Sequence, residues 1–259
     1  MKILITGARS GIGFDTGLEL VKRGHTVYFT THTNEEAIAL SSQLKNFPNA
    51  KCFKLDVTKE RDKALITNLE LDCLISHAGI GEGGSLLGMD INVLKKNYDV
   101  NIFSNLSLIK TFYNSLGKRP GKVFVTSSLA GFLPICYLES YTSSKAALTM
   151  IVRTLRKELE ILQSNCHISL IQPGAYKTGF NEVMIDNKEI NLDKGTIWYQ
   201  EKDLFTKRQR LLFDLISKRS NRSIVRKIVK NVLRENPKFY IRAPLLQVVF
   251  VKLYTLFTG

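Results

Sequence analysis

The stretch Thr6-Gly7-Ala8-Arg9-Ser10-Gly11-Ile12-Gly13 decides the reading of the chain. It stands between the apolar run Lys2–Thr6, a strand pattern, and Gly13–Arg23, where Phe14, Leu18 and Val21 recur at helical spacing. Glycines between a strand and a helix let main chain approach a ligand closely. The first N–H groups of the helix add hydrogen-bond donors and a positive dipole, a setting suited to a pyrophosphate. A glycine turn can also be no more than a tight strand-to-helix joint, so the surrounding sequence has to decide.

Outward from the turn the alternation continues. Gly24 stands where a helix C-terminal glycine belongs. Strand patterns at His25–Thr30, Cys52–Leu55, Asp72–Ser76, Lys122–Thr126 and His167–Gln172 alternate with helical patterns. The helices are expected over Glu35–Leu44, Lys59–Asn68, from a capping Asp90 to about Tyr113, and over Tyr141–Leu162. This order predicts an α/β fold, a parallel sheet with helices on both faces and ligands held beyond the carboxyl ends of the strands. After Pro173-Gly174 the alternation stops. Residues 177–203 read as polar and irregular around Trp198-Tyr199. Helices over Glu201–Ser217 and Ser223–Arg234, a strand at Lys238–Arg242 and an apolar helix Pro244–Phe257 follow. With no repeat or linker, a single domain over 1–259 is expected, with residues 179–223 as a substrate lid.

Composition narrows the function classes. The chain has 259 residues, 44% hydrophobic, which excludes global disorder. The formal charge is +14, and residues 177–259 hold +9 of it. A basic excess can face nucleic acid, anionic membrane or an acidic ligand. No nucleic-acid motif accompanies it, so a basic solvated surface is expected. Cys52, Cys73, Cys136 and Cys166 show no paired spacing and read as free thiols, with no metal site. The run Met1–Thr6 is too short for a signal-peptide core, and no apolar run spans a membrane, so a cytoplasmic protein is expected. Pro244–Phe257, with Lys252 its only charge, is expected to be buried between the subunits of a homo-dimer or homo-tetramer rather than against a membrane.

Two further groups carry chemistry. Tyr141 and Lys145 lie four apart on a helix, so both side chains emerge on one face. An ammonium beside a phenol favours the phenolate and is expected to lower its pKa, while Lys145 can also donate to a ribose hydroxyl. Such a pair is also common on exposed helices. Ser128 follows the strand Lys122–Thr126, at the carboxyl edge of the sheet, where a hydroxyl can hold a substrate oxygen. The alternative there is a turn or cap serine.

Taken together these residues resemble the short-chain dehydrogenase/reductase family from Lys2 to about Thr178. The glycine motif TGxxxGxG is matched by Thr6, Gly7, Gly11 and Gly13, and the adenine-contacting pair by Asp56-Val57. The catalytic asparagine, serine, tyrosine and lysine are matched by Asn101, Ser128, Tyr141 and Lys145, with Asn101 holding a relay water. The motif PGxxxT, which closes over the nicotinamide, is matched by Pro173, Gly174 and Thr178. The resemblance implies a Rossmann-type doubly wound sheet of about seven strands. It also implies a hydride-transferring oxidoreductase interconverting a carbonyl and an alcohol. Its cofactor contacts include Gly7, Arg9, Ser10, Gly11, Ile12 and Gly13.

Three departures qualify it. The family's NNAG appears as Ser76-His77-Ala78-Gly79. Ala78 and Gly79 still permit close approach to the cofactor, and His77 is expected to fill space rather than to replace the lost asparagine by hydrogen bonding. At the end of the second strand Thr31 replaces the acid of NAD-binding members. With no carboxylate opposing a 2′-phosphate, and Arg9 and His32 to face it, NADP(H) is expected. The region after Thr178 is similar to members acting on hydroxysteroids, retinoids and other lipophilic carbonyls, and Trp198, Tyr199, Phe132 and Leu133 are candidate pocket residues. The contrasting reading is a non-catalytic dinucleotide sensor or a membrane-surface binding module.

Overall fold

The computed structural model describes residues 1–117, 119–190, 197–200 and 202–258. Strands β1 (Lys2–Ile5), β2 (Thr26–Thr31), β3 (Ala50–Lys54), β4 (Cys73–Ser76), β5 (Gly121–Thr126), β6 (Cys166–Pro173) and β7 (Tyr240–Ala243) form one sheet. Its order is β3-β2-β1-β4-β5-β6-β7, and the strands pair in parallel. Helices α1 (Gly11–Lys22), α2 (Asn34–Gln43), α3 (Glu60–Ala64), α4 (Ile91–Tyr98), α5 (Ser104–Leu116) and α6 (Glu139–Ile161) connect the first six strands. Beyond β6 come α7 (Phe180–Ile190), α8 (Ile197–Gln200), α9 (Lys202–Ile216), α10 (Arg222–Val232) and, after β7, α11 (Leu245–Thr258).

The period-two alternation of the strands sorts their side chains into two cores. Ile3, Ile5, Cys73, Ile75 and Phe124 face one core, shared with α1 and with Ile224, Ile228 and Val232 of α10. Leu4, Leu74, Val123 and Val125 face the other, with Leu108 and Phe112 of α5 and Leu148 and Val152 of α6. The α1 helix lies close to the sheet because Gly17 has no side chain: a Cβ there would stand 2.3 Å from Phe29 Cε1. The crossover between β1 and β4 opens a crevice at the carboxyl edge, the switch point where such sheets bind ligands.

Local signals account for several boundaries. Thr33 caps α2 in a capping box with Glu36. Asp90 caps α4, its carboxylate accepting from Asn92 N at 2.9 Å, and Gly24 ends α1 at φ +84°.

Three expectations are corrected. The helix expected from Asp90 to Tyr113 is broken at Asp99–Phe103 into a wider π-turn. The helix expected over Lys59–Asn68 ends at Ala64 and tightens into a 3-10 turn over Leu65–Leu69. The segment read as irregular over 177–203 contains α7, whose Met184 and Ile185 are buried by tertiary packing. Residues 191–196 and 201 of that segment lie outside the described residues.

Candidate active site

The loops after β1, β4 and β6 meet at the crevice. Gly7, at φ +64°, lies so close to the loop after β4 that a Cβ would stand 2.8 Å from Ala78 Cα. A Cβ on Gly11, at φ +61°, would meet Thr178 Cβ at 3.2 Å. Gly13 leaves room for His77, whose Cδ2 would be 2.9 Å from a Cβ there. Thr6 fastens the loops: its hydroxyl accepts from His77 N at 2.9 Å and Ala78 N at 3.0 Å. Ser10, at the start of α1, makes no side-chain cap bond, and the first turn holds no acid. The helix therefore presents its N-terminal donors and dipole to the crevice, while Ile12 is buried beneath. A dinucleotide pyrophosphate fits this cradle.

His77 does more than fill space, contrary to the expectation. Its Nδ1 lies 3.0 Å from Thr126 Oγ1, tying the end of β4 to β5. Burial, aided by the Lys145 ammonium, holds its pKa down at about 4, so the ring is neutral at pH 7.

Three elements deliver the proposed catalytic residues. β5 carries Ser127 and Ser128 to its end, and the two hydroxyls divide the labour. Ser127 Oγ donates to Lys145 O at 2.8 Å and pairs with Thr149, fixing α6 against the strand. Ser128 caps the following turn, accepting from Ala130 N at 3.1 Å, and its hydroxyl lies near enough to the Tyr141 phenol to favour the phenolate. Tyr141 and Lys145 are both buried on α6, and Lys145 Nζ donates to Thr126 O at 3.1 Å. That ammonium lies 5.8 Å from the Tyr141 ring centroid and close to Gly79, where a Cβ would stand 3.2 Å from it. Asn101, on the π-turn, is fully buried.

The electrostatics differ from the expectation. Burial pushes the Tyr141 phenol up to about 12, against a smaller downward pull from the Ser128 hydroxyl. Burial also lowers Lys145 to about 8. Desolvation of each charged form outweighs attraction between a phenolate and an ammonium at this separation. Asn101 holds protein groups through its carboxamide. Its Oδ1 accepts from Ile80 N at 2.9 Å, and its Nδ2 donates to Ile80 O and to Ser144 Oγ, each at 3.0 Å. Both N–H groups and one lone pair are thus committed, tying the loop after Gly79 to Ser144 of α6.

At the β2–α2 turn Thr31 turns inward, donating to Thr33 O at 2.9 Å. Arg9 and His32 are exposed beside it. The expectation that no carboxylate stands here is corrected by Glu36. Its Oε2 accepts from His32 N at 3.1 Å and Thr33 N at 3.4 Å, and its Oε1 lies 3.4 Å from Arg9 Nε. The acid comes from the first turn of α2 rather than from the strand end, and the capping box at Thr33 is the sequence signal for it. Asp56 accepts from Thr58 N at 3.0 Å and lies 4.0 Å from His32 Nδ1, and Val57 beside it is buried. A buried Asp62, paired with Lys54, accepts from Asp56 N at 2.9 Å and fixes that corner.

On the substrate side, Gly174 N donates to Ala243 O at 2.8 Å, anchoring the turn after Pro173 to β7. Phe180, the first residue of α7, packs tilted against the Tyr141 ring, the centroids 5.5 Å apart. Leu138, Tyr141 and Met184 form an apolar cluster with Ile135, Phe180 and Phe213. The side chain of Trp198 lies outside what the structure describes. A cavity of about 340 Å³ between α7 and α9, lined by Lys177, Asp186, Arg210 and Asp214 among others, is bounded by ion pairs rather than by the catalytic residues.

Residues 1–189 match the family model described as short chain dehydrogenase. The chain belongs to this family. A probable short-chain type dehydrogenase/reductase of Helicobacter pylori is 32% identical over 72% of this chain and 69% of its own length. A 3-ketodihydrosphingosine reductase of Bacteroides thetaiotaomicron is 31% identical over 96% of this chain and 90% of its own. Among solved structures, a short chain dehydrogenase/reductase of Burkholderia phymatum in complex with NAD superposes with a TM-score of 0.82 at 19% identity, covering 97% of this chain and 92% of its own. A short chain dehydrogenase of Burkholderia cenocepacia in complex with NADP gives 0.73 at 18%, covering 97% and 91%. As a short-chain dehydrogenase, the chain is an oxidoreductase acting on alcohols and carbonyls with a nicotinamide dinucleotide. Sequence reasoning missed Thr6 as a loop fastener, Ser144 as the partner of Asn101, and Glu36.

Proposed function

We propose that this chain is an NADP(H)-dependent reductase of lipophilic carbonyl compounds in which Tyr141 is the proton donor. The observation that carries the reading is the buried Tyr141 phenol, beside the Ser128 hydroxyl and held protonated by burial with a pKa of about 12. A phenol that keeps its proton at neutral pH suits donation to a carbonyl oxygen better than abstraction from an alcohol. The bound dinucleotide supplies the hydride. Ser128 orients the substrate oxygen, and Tyr141 passes its proton to that oxygen as the alcohol forms. Lys145 holds the ribose, and Asn101 and Ser144 keep the Gly79–Ile80 loop in place as positioning residues. The single domain over 1–259, with residues 179–223 as the lid, belongs to the same reading. It is supported by Phe180 and Met184 packing over Tyr141.

Lipophilic substrates are supported by the apolar cluster around Tyr141. The likeness to the 3-ketodihydrosphingosine reductase supports them too, as does that to a retinol dehydrogenase 8 of Bos taurus, 26% identical over 91% of the chain. Preference for NADP(H) is supported by the neutral Thr31 and by the exposed Arg9, for which a 2′-phosphate competes with Glu36. The test is oxidation of NADPH against long-chain and short-chain ketones. Long-chain ketones are expected to react, and Tyr141→Phe to lower turnover by about 10²–10⁴-fold while cofactor affinity stays nearly intact. Substantial turnover by that variant would overturn Tyr141 as proton donor, and faster reaction of short polar ketones would overturn the substrate class.

A further inference from the structure

We propose that the face formed by α11 and the end of α9 docks on an anionic lipid surface. In α11, Leu246, Phe250, Leu253 and Phe257 follow one another at helical spacing and are 74%, 60%, 51% and 85% exposed. Val251 is its only residue in the buried class among those described. On α9, Leu211 and Leu215 are 72% and 82% exposed. The two helices abut: Gln247 Nε2 donates to Ile216 O at 2.8 Å. Gln247 Oε1 accepts from Ala175 N at 2.8 Å, so the face borders the turn after β6 that leads to the site. An apolar surface of this extent, rimmed by polar residues, marks an interaction site.

The rim charge selects the occupant. Lys207, Arg208, Lys218, Arg219 and Lys252 are exposed and have no acidic partner among the described residues. The sequence reading placed this helix between subunits. Two copies of this face brought together by a twofold axis would set like-charged rims against each other, at a cost. Anionic headgroups neutralise the same rim while the leucines and phenylalanines enter the headgroup–acyl boundary. With 14 residues, α11 lies in the interface rather than crossing it; no helix among the described residues is long and apolar enough to span a membrane. Docking this face places the mouth of the site next to the phase that holds lipophilic substrates.

The test is co-sedimentation of the full chain with phosphatidylcholine vesicles and with mixed phosphatidylcholine–phosphatidylglycerol vesicles, alongside light scattering of the free protein. Binding to the mixed vesicles that weakens as salt rises is expected. The double variant Phe250→Glu/Leu253→Glu should lower partitioning at least about tenfold, with the melting temperature and NADPH binding unchanged. A milder variant, Arg219→Gln with Lys252→Gln, should weaken binding to the mixed vesicles alone. Absence of vesicle binding, equal binding to neutral vesicles, or an oligomer that Phe250→Glu/Leu253→Glu dissociates with no effect on vesicle binding would overturn the proposal.

Discussion

Lys145 is a charge that the fold keeps in the interior at the expense of its own stability. Burial moves its pKa from 10.5 to about 8. At about 1.4 kcal/mol for each tenfold change in a proton equilibrium, the ammonium is disfavoured in the folded chain by about 3 kcal/mol. Lys145→Met keeps the length and shape of the side chain and removes the charge. It also removes the bond to Thr126 O, a loss of about 1 kcal/mol. The ligand-free variant should therefore be more stable than the parent by about 2 kcal/mol at pH 7, a rise of roughly 4–8 °C in melting temperature for a chain of this size.

The pH dependence follows from the same depression. Between pH 8 and 10.5 the unfolded chain holds the lysine proton and the folded chain does not, so this group's contribution rises with pH through that window. It is complete above the unfolded pKa and lost as pH falls through about 8. The advantage of the methionine variant is thus full at neutral pH and disappears at high pH. Thermal unfolding followed by circular dichroism at the two pH values measures it. A variant that melts at or below the parent at pH 7, or by the same margin at both pH values, refutes the reasoning. The same substitution should weaken cofactor binding and turnover, since the ammonium that is costly to bury is the one proposed to hold the ribose.

Two further outcomes are expected. Glu36→Gln leaves the capping geometry but removes the negative charge beside Arg9, so NADPH should bind about three- to tenfold more tightly in fluorescence titration while NADH changes little; an equal change for both cofactors would place Glu36 away from the 2′-phosphate. Gly17→Ala puts a methyl 2.3 Å from Phe29 Cε1 and should lower stability by about 1–3 kcal/mol in denaturant titration, with an unchanged midpoint counting against the tight α1–β2 contact.

The sequence by itself determined the sheet, its glycine turn and the helical pair Tyr141 and Lys145. These are local facts: Ile3, Leu4 and Ile5 alternate between two cores because a strand has a period of two, and residues four apart share a helix face. Asp90 and Gly24 mark helix ends through bonds made within a few residues. Tertiary structure decided what depends on distant partners. The polar stretch after Gly179 becomes a helix because Phe180 and Met184 find Tyr141 and Leu138 to pack on. The helix around Asn101 widens into a π-turn, and its carboxamide closes on Ile80, 21 residues away. His77 finds Thr126 on the neighbouring strand, 49 residues away. The direction of the Tyr141 pKa was also beyond the reach of spacing alone. The sequence shows that a lysine is near. How much water the fold removes from both groups is a property of everything packed around them, and here that desolvation outweighs the attraction.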